Sequence, residues 1–451
     1  MKSSFILTFL TALFWNSFPL HAQDKWEYLP NVGLDSSTNI RFEDVYFTTY
    51  HTGFAVDLSY KIHKTTDGGQ TWRKVADGTT GVSGGRSIEF LQDGKTGIAG
   101  AFSAKIARTD DSGESWQDIT AAVPDTATDF PRHGICGISH IHNSFFAVGI
   151  YASKTAHFYR SDDRGITWTT KYIDTGLVNG LVDVIFTSAD TGFICGVKRY
   201  LGKGEFGVVL KTTDGGNTWR KVFEAPGWYQ EYIWKLQFIG TQFGVGAIQS
   251  NDTIAMIKTT DGGENWKVLG TGFKPSDFSY SSPSPHVTQS IGFVTPLKGW
   301  MGGYFGSIVE TNDGGITWDS LSFGRNFNRI FVIDSEHAYA GGKSVYRYGS
   351  KFKLGLPRNE GPADIPHTLY PISPNPATGK IKIEFDLKTT TNVNVQVFQA
   401  GSGRVWDVHR ARLNPGHYIY FWEDATAAAG NYFVRLNNDE IPLIQKFVLT
   451  K

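Results

Sequence analysis

Short apolar or alternating runs, each ending in a polar turn, recur along most of the 451-residue chain. Runs such as "VVLKT", "AMIKT" and "SIVET" lead into a polar box, and "WRKV", "WQDI" and "WKVL" lead out of it. Runs of this length and pattern predict strands, and a glycine-bearing polar box between two of them predicts a hairpin turn. Two more runs lie upstream in each unit, as in "EDVYFTTYHTGFAVD" and "VDVIFTSADTGFICGV". Long amphipathic helical patterns are absent from the sequence, so the elements expected are strands.

The box occurs six times: "KTTDGGQTWRKV" (64–75), "RTDDSGESWQDI" (108–119), "RSDDRGITWTTK" (160–171), "KTTDGGNTWRKV" (211–222), "KTTDGGENWKVL" (258–269) and "ETNDGGITWDSL" (310–321). Its aspartates are Asp67, Asp111, Asp163, Asp214, Asp261 and Asp313, spaced 44 to 52 residues apart. A period of that size in a β-rich chain means a propeller or a solenoid, and four strands per unit make a propeller blade. The Asp carboxylate can accept backbone N–H groups of the turn, the glycine supplies a positive φ, and the Trp packs at the start of the outgoing strand. Those roles make the six aspartates structural; calcium binding or catalysis is the competing reading. A seventh unit (328–348) has three strands and no box. Near the start, "KWEYLP" (25–30) places Trp26, Tyr28 and Leu29 as in the strand that follows a box. The N-terminus is therefore expected to complete the seventh blade and remove an open sheet edge.

Composition fits many short strands and tight turns, with 51 glycines and 14% aromatic residues. Lys+Arg and Asp+Glu are both 43, so no global field attracts nucleic acid or an acidic membrane. "MKSSFILTFLTALFWNSFPLHAQ" has a basic start, a short apolar run and a small residue, Ala22, at a cleavage position, which predicts a signal peptide over 1–22. No later run is apolar and long enough to predict a membrane span. Cys136 and Cys195 are the only cysteines; two do not make a framework, and a disulfide between them is left open. Without His/Cys clusters of ligand spacing, no metal and no cofactor are expected. Past residue 349 the composition shifts to a linker (350–367), then to alternating strands such as "NVNVQVFQ", "HYIYFWED" and "NYFVRLNN", a small β-sandwich over 368–451.

The boxes resemble those of the Asp-box, or BNR, propellers, which include sialidases, sortilin-like receptors and photosystem II assembly-factor-like proteins. The likeness covers about residues 24–349 and implies a seven-bladed β-propeller whose binding face lies opposite the boxes. The tail, through "SPNPATGKIKIEF", "VQVFQAGSGRVW", "LNPGHYIY", "AAAGNYFVRL" and "KFVLTK", resembles the C-terminal sorting domain of type IX secretion (type A, Por) in Bacteroidetes. It departs at Gln399-Ala400-Gly401, where the family commonly has an Asp-containing turn. This resemblance implies a secreted or outer cell-surface protein with the type IX machinery as a partner. The expected fold class is all-β, a seven-bladed propeller followed by a small β-sandwich.

Loop lengths vary between blades, as in "AAVPDTATDFPRH" and "EAPGWYQEYIW", and between second and third strands, as in "KRYLGKGEFG". Both classes emerge on the face opposite the boxes, and variable loops on one face of a repeat scaffold mark a binding face. Arg41, Arg86, Arg132 and Arg329 lie at even offsets from Phe47, Phe90, Ile138 and Phe331, which puts them on one strand face. They form an expected solvated basic arc for a carboxylate or phosphate, set against solvated loop arginines of no function. Trp228, Tyr229, Tyr232 and Trp234 on the same face offer rings for sugars or peptide side chains, or pack a blade edge. The function expected is a non-catalytic binding propeller with a protein or glycan ligand, anionic ligands included. The alternative is an exo-acting glycoside hydrolase, sialidase-like or xyloglucanase-like, for which Asp44 and Asp183 are the paired carboxylates.

Overall fold

The computed structural model describes residues 26–29, 41–77, 84–102, 105–124, 134–150, 156–226, 232–250, 253–278, 288–349, 367–387, 390–399, 404–414, 416–437 and 443–450. The chain separates into two compact units, divided after Lys353. Both are β-structure; among the described residues the only helical turns are Thr120–Ala122 and Pro275–Asp277.

The first unit is a seven-bladed propeller of seven four-stranded antiparallel sheets. Blade 1 runs Phe42–Phe47, Gly53–Asp57, Ile62–Thr65 and Arg73–Ala76, from channel to rim, and blades 2 to 6 repeat that order. Blade 7 takes Arg329–Val332, Ala338–Gly341 and Val345–Tyr348 from one end of the unit and Trp26–Tyr28 from the other. Trp26 pairs with Tyr348 and Tyr28 with Tyr346. Trp26 packs on Trp300 of the preceding blade at 5.3 Å, as Trp72 packs back among blade 7 residues.

Aromatic residues join the blades. The residue that follows the glycine of several second strands stacks on an inner-strand Phe of the next blade: Phe54 on Phe90 at 4.2 Å and Phe193 on Phe238 at 4.5 Å. Tyr339 on Phe47, at 3.5 Å, makes the same contact across the closure. Such pairs add about 0.5–1.5 kcal/mol each beyond the area they bury.

Each box is a closed hydrogen-bonded turn. In the first, Thr71 donates its N–H to Asp67 Oδ1 (2.9 Å) and its hydroxyl to Oδ2 (2.5 Å), while Thr65 donates to Oδ1 (2.8 Å) and accepts the Gly69 N–H (2.9 Å). Gly263, the second glycine of the fifth box, has φ +76, and a Cβ there would lie 2.3 Å from Phe193 of the preceding blade. The box therefore needs glycine for space as well as for conformation.

The residue three before the box aspartate has a separate role. Lys64, Arg108, Arg160, Lys211 and Lys258 each donate to a carbonyl in the next blade's box, those of Ser112, Arg164, Gly215, Gly262 and Gly314, at 2.7–2.8 Å. That carbonyl always belongs to the residue after the box aspartate. Blade 6 precedes the blade without a box and has Glu310 there instead, which accepts from Trp300 Nε1 (2.6 Å). Blade 7 completes the series with Arg347, which reaches the Gly68 carbonyl (3.3 Å).

The second unit is a β-sandwich. One sheet orders His367–Leu369, Ile381–Leu387 and Gly416–Trp422; the other orders Val405–Leu413, Thr391–Gln399, Gly430–Asn437 and Leu443–Leu449. Alternate residues Ile381, Ile383, Phe385 and Val393, Val395, Val397 face its core, the period-two pattern read from sequence.

Trp26→Ala should destabilise the propeller by about 3–5 kcal/mol, the usual cost of truncating a buried Trp. A thermal melt of this variant matching the parent would show that the N-terminal strand does not close the ring. The boxes should also make the propeller acid-sensitive. Hydrogen bonds from Thr218 and Thr212 pull Asp214 down to about 2, and those from Thr317 do the same for Asp313. A depressed carboxylate stabilises above its unfolded pKa and ceases to as pH falls through the folded one. The stability loss should therefore run from about pH 4 down to about pH 2. Asp214→Asn should lower the melting temperature at pH 5 and converge on the parent near pH 2; a constant difference across that window would contradict this.

Candidate ligand-binding face and channel

Seven inner strands line the channel, and in six of them the register slips by one residue near the start. The slips fall between Phe42 and Asp44, Gly85 and Ser87, Ile135 and Gly137, Leu181 and Asp183, Ile233 and Lys235, and Thr288 and Ser290. The extra residue of a bulge disrupts strict alternation. Glu43, Arg86, Cys136, Val182, Trp234 and Gln289 thus occupy equivalent bulge positions around the ring.

The bulges correct the expected arginine arc. Counting by twos fails across an inserted residue: Arg41 lies beyond the bulge of its strand and Arg86 is the bulge. Both are buried, and they converge on one carboxylate. Arg41 Nε donates to Glu43 Oε1 at 2.5 Å, and Arg86 Nη1 donates to Glu43 Oε2. Glu43 is fully buried, with 0% of its side chain exposed. Arg329 does not join them. It pairs with Asp44 (3.4 Å) and Asp183 (4.0 Å) in the channel. Arg132 lies outside the described residues. Arg41, Arg86 and Arg329 are thus paired within the protein and do not form a solvated arc.

Aromatic rings wall the Arg41–Glu43–Arg86 cluster. The Arg41 guanidinium lies 4.0 Å from the Tyr304 ring centroid, and Arg86 lies 5.2 Å from Phe102 and 5.3 Å from Trp234. Trp234 donates Nε1 to Gln249 Oε1 at 2.6 Å and stacks on Tyr232. Tyr232 accepts from Arg199 Nη2 at 2.9 Å, and Arg199 Nε donates to Glu205 at 2.5 Å. Of the four expected aromatics, Tyr232 and Trp234 are therefore tied into this cluster, while Trp228 and Tyr229 lie outside the described residues. Two guanidinium groups share one carboxylate here, so the cluster carries one unbalanced positive charge.

Deeper in the channel, Asp44 accepts the N–H groups of Val45 (2.9 Å) and of Ile88 in the next blade (3.2 Å). Asp183 accepts the N–H of Leu236 in its next blade (2.9 Å) and lies 3.5 Å from Lys235 Nζ. Burial pushes the Asp44 carboxyl up, and Arg329 and Lys235 oppose the shift. Glu89 is raised likewise by burial, against His140, whose Nδ1 lies 2.8 Å from it. Cys136 and Cys195 are buried free thiols; burial pushes Cys136 up to about 11, against the nearby Arg86. Among the described residues no group of three or more His, Cys, Asp or Glu is placed to hold a metal ion.

Sequence reasoning missed Glu43, Tyr304 and the Glu89–His140 pair. Glu43 had a signal, an acid between Arg41 and the apolar stretch of an inner strand. Tyr304 had none, because it reaches Arg41 from a blade distant in sequence.

Residues 371–450 match the family of the secretion system C-terminal sorting domain. That tail marks the chain for type IX secretion to the cell surface or the extracellular space. Among the described residues no helix is long and apolar enough to cross a membrane. None of the curated proteins matches the chain. Solved structures similar to it include YCF48 bound to D1 peptide (19% identity, 73% of this chain and 95% of that one, TM-score 0.51). YCF48 from Cyanidioschyzon merolae matches at 17% identity over 72% of this chain and 98% of its own, TM-score 0.52. U3-55K matches at 11% identity over 73% and 99%, TM-score 0.52. At these identities the likeness establishes the propeller fold.

Glu43→Ala should cost the propeller about 3–5 kcal/mol, because it strands two buried guanidinium groups without a counter-charge. Glu43→Gln should cost less. Denaturant unfolding checks the order, and equal stability of Glu43→Ala and parent would mean that water replaces the carboxylate.

Proposed function

We propose that this chain is an exported, non-catalytic binding propeller of the Asp-box (BNR) type, akin to assembly-factor or sortilin-like proteins. Its ligand seats opposite the boxes, over Arg41, Arg86, Tyr232 and Trp234. To the ligand-contacting set this reading adds Arg132, Trp228 and Tyr229, which lie outside the described residues. The same reading takes residues 1–22 as a cleaved signal peptide, 350–367 as a linker and 368–451 as the sorting domain. A Bacteroidetes source accords with the tail.

The observation that carries this reading is the shared carboxylate. Two guanidinium groups, pre-oriented by Glu43 and walled by rings, retain one positive charge for an anion, and charge-assisted contacts of this kind are strong and directional. One similar structure is a peptide complex, which makes acidic peptides the first class to try and acidic glycans the second. Against the hydrolase alternative, Asp44 and Asp183 commit oxygens to backbone N–H groups of neighbouring blades and share the Arg329 cation. Glycoside hydrolysis needs one carboxyl free to donate a proton and the other free to attack or activate water.

A peptide library and a glycan array, with aryl glycosides assayed in parallel, test the reading. Saturable, salt-weakened binding of acidic ligands without turnover is expected. Tyr232→Ala and Arg41→Met should weaken it by about tenfold, roughly one charge-assisted contact, while Arg41→Lys should retain more. Glycoside turnover lost in Asp183→Asn would favour the hydrolase.

A further inference from the structure

The channel also opens on the face of the box turns, and a cavity of about 600 Å³ lies in that mouth. This size is within the range of small-molecule sites, about 300–1,000 Å³. Its walls are the ends of the inner strands of blades 1 to 4 and the hairpins that follow them. Thr48, Gln92, His140, His142, Thr187 and Ser188 supply its polar groups. Leu91, Ile141 and the ring of Tyr46 supply apolar wall; the Tyr46 hydroxyl is already committed to the Phe90 carbonyl at 3.0 Å.

His140 is the best-positioned of the polar groups. Its Nδ1 lies 2.8 Å from Glu89 Oε1, and the Glu89 side chain is only 11% exposed. A carboxylate behind an imidazole fixes ring orientation and leaves the other nitrogen to act. Nε2 has no protein partner among the described residues.

The lining also restricts the ligand. No Lys or Arg lines the cavity. Arg329, whose charge acts on Tyr46 and Glu89, is engaged by Asp44 and Asp183 in the channel, so nothing in the lining matches the charge of a phosphate or sulfate. Among the described residues the carboxylates behind it are engaged, Glu89 by His140 and Asp44 by Arg329, so no free acid awaits a cation. Hydroxyls, an amide and imidazoles beside apolar wall match a neutral sugar, whose hydroxyls need donors and acceptors and whose C–H faces need apolar contact. We propose that the box-face mouth of the channel is a second ligand site, that it takes a neutral mono- or disaccharide unit, and that His140 Nε2 is its central polar anchor. This site is independent of the anion site proposed on the opposite face.

The test is titration of the full chain, by calorimetry and saturation-transfer NMR, with glucose, N-acetylglucosamine, lactose and maltose. Glucose 6-phosphate and sialic acid serve as charged controls. Saturable millimolar binding of at least one neutral sugar is expected. Ala189→Trp, at an exposed lining position, should fill the mouth and abolish binding with an unchanged melting temperature. His140→Gln should weaken binding by about tenfold, as loss of a single polar anchor would. The proposal is overturned if no neutral sugar binds, if Ala189→Trp binds as the parent does, or if the charged controls bind in preference.

Discussion

Arg347 is where the ring closes. Its guanidinium holds Glu27 of the N-terminal strand at 2.7 Å through Nε, and its Nη1 reaches the Gly68 carbonyl in the first box. One side chain thus ties together the two ends of the propeller sequence and joins the last blade to the first. Tyr339 adds its hydroxyl to the same carbonyl at 3.2 Å. In blades 1 to 5 the joint is made by the lysine or arginine three residues before the box aspartate. A propeller has no central core; each blade buries its faces only against its two neighbours. Interblade contacts therefore decide whether the ring exists, and a three-residue strand can matter more than its length suggests. The box is half of a lock whose other half belongs to the preceding blade.

The channel follows the same logic with buried charge. Asp44, Glu89 and Asp183 face Arg329, Lys235 and His140. Isolated, each charge would cost several kcal/mol to bury. Here Asp44 joins blade 1 to blade 2 through Ile88, and Asp183 joins blade 4 to blade 5 through Leu236. Gln237 performs the neutral version, accepting the Phe293 N–H at 2.6 Å from the next blade. Buried ion pairs add little net stability, but an unpaired partner is expensive. The network thereby penalises any arrangement in which these blades are not neighbours.

The fold was legible because its signal is periodic. Six boxes at near-equal spacing fix the blade count, and a boxless seventh unit with a matching N-terminal strand fixes the closure. The tail announced itself through its proline-glycine turns and alternation, although the strand Val405–Leu413 lies at a sheet edge with no fully buried residue, so its alternation is faint in hydrophobicity. The channel was less legible. A bulge inserts one residue without leaving a mark in hydrophobicity: "FEDVYF" and "GRSIEF" look like unbroken strands. Such a bulge falls at Glu43 and at Arg86, so strand parity does not reveal that Arg41 and Arg86 meet over Glu43. Arg329, in an inner strand whose pairing with its neighbour runs without a shift, faces the channel as its offset implied, but meets Asp44 and Asp183. Pairing between distant blades, as of Arg41 with Tyr304, has no local signature at all.

The two mouths of the channel differ for a reason rooted in the repeat. On the box face the turns are nearly constant in length, and their geometry is dictated by the hydrogen bonds that lock one blade to the next. A site there must be built from the ends of inner strands, which favours a small, fixed, largely uncharged cleft. On the opposite face the connections vary in length and are not bound by the lock. A site there can gain specificity from segments that the repeat does not constrain, provided the scaffold holds something rigid beneath them. In the function proposed above, Arg41 and Arg86 are that rigid element, held by burial, by rings and by a shared carboxylate. Glu43 satisfies half of their combined charge, and an anionic group arriving from solvent would supply the other half without any rearrangement of the blades.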